Sequence, residues 1–337
     1  AQPNIVFAVQ EAVGDWFEIH RTEILANQPG TIRLEGRFLT DTTAAYEAIA
    51  PRLRSLGYTA LFRQEGKKQI ILALPGTFAS AKPRPRLAAF LFFLTLLSVL
   101  YIGAVHVWSY NNQVPERITL LSILDGWPFA ASLLAILLAH EFGHYLVGRR
   151  LGASVSLPYF IPFPLNILGT MGAVINMRTP PTNQRTLLAI AAAGPLAGLM
   201  VAVPVLIFGL SLSEVIRLPP GTLYNQEGNS LLYLAAKYLI FGQILPHNGL
   251  DVNIHPIAFA GWAGLFVTAL NLIPAGQLDG GHIIYALLGE QARYITWGVI
   301  GALVLLGFLW SVWWVWAVLI AMLGQLRAMP LDTITHL

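Results

Sequence analysis

The chain has 337 residues, 55% of them hydrophobic and 11% charged, with a formal net charge of +3. That composition excludes an ordinary soluble globule and points to a membrane protein. No basic patch is interleaved with aromatics in a recognisable module, so nucleic acid is not an expected partner. The absence of cysteine excludes disulfides and thiolate metal sites.

Charge is distributed unevenly. Residues 1–86 hold 11 of the 20 Lys/Arg and 8 of the 17 Asp/Glu. A small α+β accessory domain over 1–86 is therefore expected before a membrane domain over 87–337, with the boundary at Lys82-Pro-Arg-Pro-Arg86. Within the first domain Thr31–Leu39 alternates as a strand does. Thr42–Leu56 carries a helical pattern through Ala45, Tyr46, Ile49 and Leu53, with Gly57 as its stop. Tyr58–Arg63 and Gln69–Leu74 read as a strand pair. No cleavable signal peptide is visible, since the first long apolar stretch starts near Leu87. The chain opens on Ala1 rather than Met, which leaves room for a preceding segment.

Spans need about 20 apolar residues. Six stretches are candidates: 87–108, 127–149, 187–211, 256–275, 293–310 and 312–326. Basic residues favour the inner side of a membrane. With residues 82–86 inside, Arg149, Arg150, Arg178, Arg185, Arg293 and Arg327 also fall inside, and both termini with them. The expected class is thus a polytopic α-helical membrane protein of about six transmembrane helices, with a membrane-associated β segment, preceded by the α+β domain. The β segment lies in 156–178, which is apolar but carries three prolines that forbid a regular helix. Two readings stand here: a hairpin dipping into the membrane, or a loop on its surface. In the first, Gly169–Met177, with Gly169 and Gly172, offers a strand edge to an unwound substrate. Leu231–Ile244 reads as an interfacial helix in an outer loop.

The chemistry is concentrated in the second span, which contains His140-Glu-Phe-Gly-His144. Two histidines four apart share one helix face and can grip one metal, with Glu141 beside them as a general base for a metal-bound water. An ionised Glu at mid-bilayer costs roughly 2.5–3.5 kcal/mol on insertion scales, and hydrolysis within the membrane is an economical reason for it. Catalytic zinc usually takes three protein ligands. Of the aspartates before the last helices end, Asp125 and Asp251 fall on the outer side by the charge count. Asp279, in Gly/Pro-rich backbone after the fourth span, falls on the same side as the end of the span bearing the histidines. A helix-start cap is the alternative role for Asp279.

His140-Glu-Phe-Gly-His144, with Asn271…Pro274…Leu278-Asp279-Gly280 at the end of a later span, resembles the site-2 protease family of intramembrane zinc metalloproteases. Gly169-Thr-Met-Gly-Ala-Val-Ile175 and Ala193-Gly-Pro-Leu-Ala-Gly198 are similar to segments between those motifs in the family. Leu34-Glu-Gly-Arg-Phe-Leu39 resembles the cyanobacterial and plastid branch, and no room is seen for a PDZ insert. The resemblance implies a Zn2+ held by His140, His144 and Asp279, and Asn271 hydrogen-bonded to the substrate backbone. The implied substrate is a single-span membrane protein, such as an anti-sigma factor or another membrane-tethered regulator. The implied location is the lipid bilayer of a cyanobacterial plasma or thylakoid membrane, or of a plastid. Competing readings are a membrane zinc protease of the kind that trims prenylated proteins, a non-enzymatic scaffold, and a carrier. The first should show Glu as third ligand, a scaffold has no need of Glu141, and a carrier should show a charged relay or inverted repeat.

Overall fold

The computed structural model describes residues 2–77, 84–177, 179–218, 227–323 and 330–335. Lys82, Arg178 and Arg327, which the charge reading places inside, lie outside the described residues.

The N-terminal part comprises α1 (Gln2–Gly14), β1 (Phe17–Ile24), β2 (Ile32–Phe38), α2 (Thr42–Ser55), β3 (Tyr58–Glu65) and β4 (Lys68–Pro75). The strands form one antiparallel sheet in the order β1-β2-β4-β3. The helix α2 starts where Asp41 accepts hydrogen bonds from the Thr43 and Ala44 amides, which satisfies two donors that the first turn leaves free. It stops before Gly57, whose φ of +82° suits glycine. Val9 and Val13 of α1 and Ile49 and Leu53 of α2 share one core with Leu34, Phe62 and Ile71 of the sheet. The strands and α2 match the sequence expectation to within two residues. The helix α1 and strand β1 are additions to it.

Leu331 and Ile334, near the other end of the chain, belong to that same core. The Phe62 amide donates to the Leu331 carbonyl (2.9 Å) and the Thr333 amide to the Phe62 carbonyl (3.1 Å), so residues 331–333 extend the free edge of β3.

The rest of the described chain is α3 (Pro85–Tyr110), α4 (Leu120–Ile123), α5 (Trp127–Arg150), β5 (Tyr159–Pro162), β6 (Thr170–Val174), α6 (Gln184–Ser211), β7 (Glu214–Arg217), α7 (Leu231–Phe241), β8 (Leu250–Asn253), α8 (Pro256–Asn271), α9 (Asp279–Leu288), α10 (Ala292–Gly307) and α11 (Val312–Leu323). Helix α3, the run Leu120–Arg150 and α6 are long and apolar enough to cross a membrane. The fourth to sixth expected spans contain α8, α10 and α11, of 16, 16 and 12 residues; these are short of the length a perpendicular crossing needs.

Successive long helices run in opposite directions. The Tyr110 hydroxyl at the end of α3 donates to the Leu212 carbonyl just after α6, and the Tyr110 ring lies 5.1 Å from that of His255 just before α8. One end of the bundle therefore gathers the ends of α3 and α6 and the start of α8. On that side β7 and β8 pair as an antiparallel ribbon, and α7 ends at Gly242 in the left-handed conformation.

Residues 156–177 contain the hairpin β5–β6, lying along α3. Phe160 is buried with Val99 and Leu133. The Ser98 hydroxyl donates to the Gly169 carbonyl at 2.6 Å, and His106 lies 2.8 Å from the Ile167 carbonyl. At 1.5 Å per residue, Ser98 and His106 stand about 20 and 31 Å from the start of α3. The tip thus reaches deep along a membrane-length helix. Asn166 holds the turn by accepting from the Leu168 and Gly169 amides and donating to the Thr170 carbonyl.

Candidate metal centre

His140 and His144 lie on α5 about 15 and 9 Å before its Arg150 end. Their four-residue spacing puts both rings on one face. Asp279 opens α9, which packs against α6, as α5 does. The Asp279 Oδ2 stands 3.2 Å from His140 Nε2 and 3.3 Å from His144 Nε2, and the two Nε2 atoms are 3.3 Å apart. His140 is 5% exposed.

The triangle can be tested against the ion it would hold. Ligand atoms about 2.0–2.2 Å from a tetrahedral zinc stand about 3.3–3.6 Å from one another. Two of the observed separations, 3.3 Å each, sit at the lower end of that interval, and the third, 3.2 Å, lies just below it. The donors are two imidazole nitrogens and one carboxylate oxygen, a set zinc accepts, with a fourth position left for water or substrate. Among the described residues, this is the group of His, Asp and Glu close enough to hold a metal. His144 is oriented from behind, its Nδ1 lying 2.7 Å from the Ile190 carbonyl. With that nitrogen donating, Nε2 carries the lone pair.

A cavity of about 310 Å³ opens on the triangle. Glu141, 8% exposed, lines it beside the three donors. Asn271, at the end of α8, brings Nδ2 to 3.4 Å from His140 Nε2 and also lines the cavity. Ala173, Val174, Ile175 and Met177 also line the cavity. Gly169 and Gly172 are not part of it. Gly169 is turned toward α3, where an added Cβ would stand 2.8 Å from the Cα of Val99, and Gly172 has open space around it at a φ of +90°. Of the expected site residues, His140, Glu141, His144, Asn271 and Asp279 meet at one cavity, whereas the two glycines shape the hairpin that contributes Ala173 and Val174 to its lining. Gln277 and His282 also line it. Gln277 lies two residues before Asp279 and His282 one helical turn after it, a local proximity that sequence alone carries.

No solved structure matches the chain. The model of peptidase family M50 matches residues 128–310. The chain is 33% identical to the probable zinc metalloprotease EGY1, chloroplastic, of Arabidopsis thaliana, over 63% of this chain and 41% of that protein. It is 33% identical to the Arabidopsis thaliana protein named EGY2 over 84% of this chain and 51% of that one. To the EGY2 of Oryza sativa subsp. japonica it is 30% identical over 78% and 49%. The chain spans about half the length of the curated relatives it matches. Zinc is the metal in those relatives' names, and the donor triangle fits it. The matched region contains every residue of that triangle, and the chain belongs to peptidase family M50.

Proposed function

We propose that the chain is a zinc-dependent intramembrane endopeptidase, cleaving a transmembrane segment of a membrane-anchored protein. The observation that carries this reading is the His140–His144–Asp279 triangle, set about 9–15 Å inside the end of a membrane-length helix with Glu141 beside it.

His140, His144 and Asp279 would hold the zinc, which when bound polarises a carbonyl and acidifies a water. Glu141 takes the proton of the attacking water and delivers it to the leaving amine nitrogen as the C–N bond breaks. Asn271 donates from its amide to the substrate backbone. The strand β6, bonded to β5 on one side only, contributes Ala173 and Val174 to the cavity lining, and its free edge pairs with a substrate segment that has unwound from a helix. Unwinding is required because a helical backbone keeps its carbonyls in internal hydrogen bonds. The wall residues Val174, Ile175 and Met177 are apolar, which suits a substrate taken from lipid.

The substrate we propose is a single-span regulator of the anti-sigma-factor kind. The setting is a multi-pass protein of about six spans in a plastid membrane or in a cyanobacterial plasma or thylakoid membrane, with both termini on the stromal or cytoplasmic side. The plastid location rests on the relatives named chloroplastic; the orientation rests on Arg149 and Arg150 at the end of α5. We further propose 1–86 as the accessory domain and 87–337 as the catalytic one.

The test is a single-span reporter co-reconstituted with the full chain in vesicles. Glu141→Gln is expected to retain zinc and lower cleavage by about 10²–10⁴-fold, the range for loss of a general base. Chelation should abolish wild-type cleavage and added Zn2+ restore it. Undiminished cleavage by Glu141→Gln would remove Glu141 from the reaction.

A further inference from the structure

Both imidazoles of the triangle lie on α6 at places where that helix has no side chain. A methyl group at Gly194 would overlap Nε2, Cδ2 and Cε1 of His144. A methyl group at Gly198, one turn further, would stand 3.2 Å from Nδ1 and 3.3 Å from Cβ of His140. One turn before Gly194, the Ile190 carbonyl accepts from His144 Nδ1 at 2.7 Å. Positions 190, 194 and 198 follow each other at helical spacing along one face.

Glycine is a poor helix former, and neither residue has a positive φ that would call for it. The requirement is therefore for room. Small residues between membrane helices commonly serve close backbone approach, and other glycines of this bundle do so. A Cβ at Gly143 would meet the Ala193 carbonyl at 2.5 Å, and one at Gly261 would meet the Leu206 backbone at 2.6 Å. At Gly194 and Gly198 the nearest atoms belong to the two histidine side chains instead.

We infer that Gly194 and Gly198 are positioning residues for the metal: α6 offers bare backbone on which the rings of His144 and His140 lie, while the Ile190 carbonyl fixes the rotation of the first. The geometry of the centre is then set by α6 as much as by the helix that carries the histidines. This inference rests on the zinc reading of the triangle. It also makes the two glycines unequal. At position 194 a methyl displaces the metal-binding nitrogen itself, whereas at 198 it presses on the far side of the other ring.

The experiment uses the full chain in detergent, with zinc affinity measured by chelator competition and the visible spectrum of the Co2+ form as a geometric readout. Gly194→Ala is expected to weaken zinc binding at least 10-fold, within the 10–100-fold range for lost ligand support, and to shift the Co2+ bands. Gly198→Ala should weaken it less and shift the bands in part. Gly298→Ala in α10, where nothing lies within 4 Å, should match wild type in both. Wild-type affinity and spectrum in Gly194→Ala would overturn the inference. If Gly194→Ala does not fold, Gly198→Ala decides: altered Co2+ bands support the inference, unaltered bands overturn it. A wild-type chain that binds no stoichiometric zinc would instead refute the metal reading itself.

Discussion

Asp279 presents Oδ2 at 3.2 Å from Nε2 of His140, although the two residues come from helices joined through a third. Helices α5 and α9 both pack against α6, so the carboxylate arrives by way of the element on which the imidazoles also lie. Asp279→Ala keeps that packing and removes one donor of three. Zinc per chain, measured by elemental analysis after dialysis, is expected to fall from near one to a small fraction. Asp279→Asn, with a neutral oxygen in the same place, should fall between the two. Full stoichiometry in Asp279→Ala would mean that the third ligand is elsewhere.

The hairpin offers a different readout, because it can be disturbed without touching a zinc donor. The Ser98 hydroxyl supplies a buried hydrogen bond to the Gly169 carbonyl, and an acceptor left without it loses about 1–3 kcal/mol. Gly169 itself has φ +75° and faces the α3 backbone. Gly169→Ala therefore combines backbone strain with a clash and should loosen the tip more than Ser98→Ala does. Reporter cleavage is expected to decline in the order wild type, Ser98→Ala, Gly169→Ala, with zinc content constant. Equal rates in all three would separate hairpin docking from substrate handling.

Some of this arrangement is legible in the sequence and some is not, for physical reasons. The His140–His144 spacing and the long apolar runs are local periodicities, and local periodicity survives in a linear string. The α1 stripe Val6, Val9 and Val13 has the same character and was open to the same reading. Glycines are another matter. Gly194, which lies beneath an imidazole, and Gly261, which meets a backbone, look identical until the neighbouring helix is in place. The pairing of Phe62 with residues 331–333 is also invisible, since its partners are far apart in the chain and a single bridge has no period.

That pairing carries the last prediction. Asp332 is fully buried. Its Oδ1 accepts from the Ile334 and Thr335 amides, its Oδ2 accepts from the Thr335 hydroxyl, and its own amide donates to the Thr182 carbonyl at 2.7 Å. Thr182 precedes Asn183, the residue that caps α6. The Arg63 guanidinium adds a 2.9 Å bond to the Leu331 carbonyl. One five-residue segment thus joins the N-terminal sheet to the entry of the helix beneath the metal centre. Asp332→Ala removes the carboxylate that organises the segment, at a local cost of about 2 kcal/mol for charge-assisted bonds. Opening by that amount corresponds to about 30-fold faster amide exchange. The effect should appear at Phe62 and Thr333, whose amides bond across the junction. Exchange at Leu34 and Ile71, inside the sheet core, should stay near wild type, as should zinc content. Unchanged exchange at Phe62 and Thr333 would show that Asp332 does not hold the two parts together.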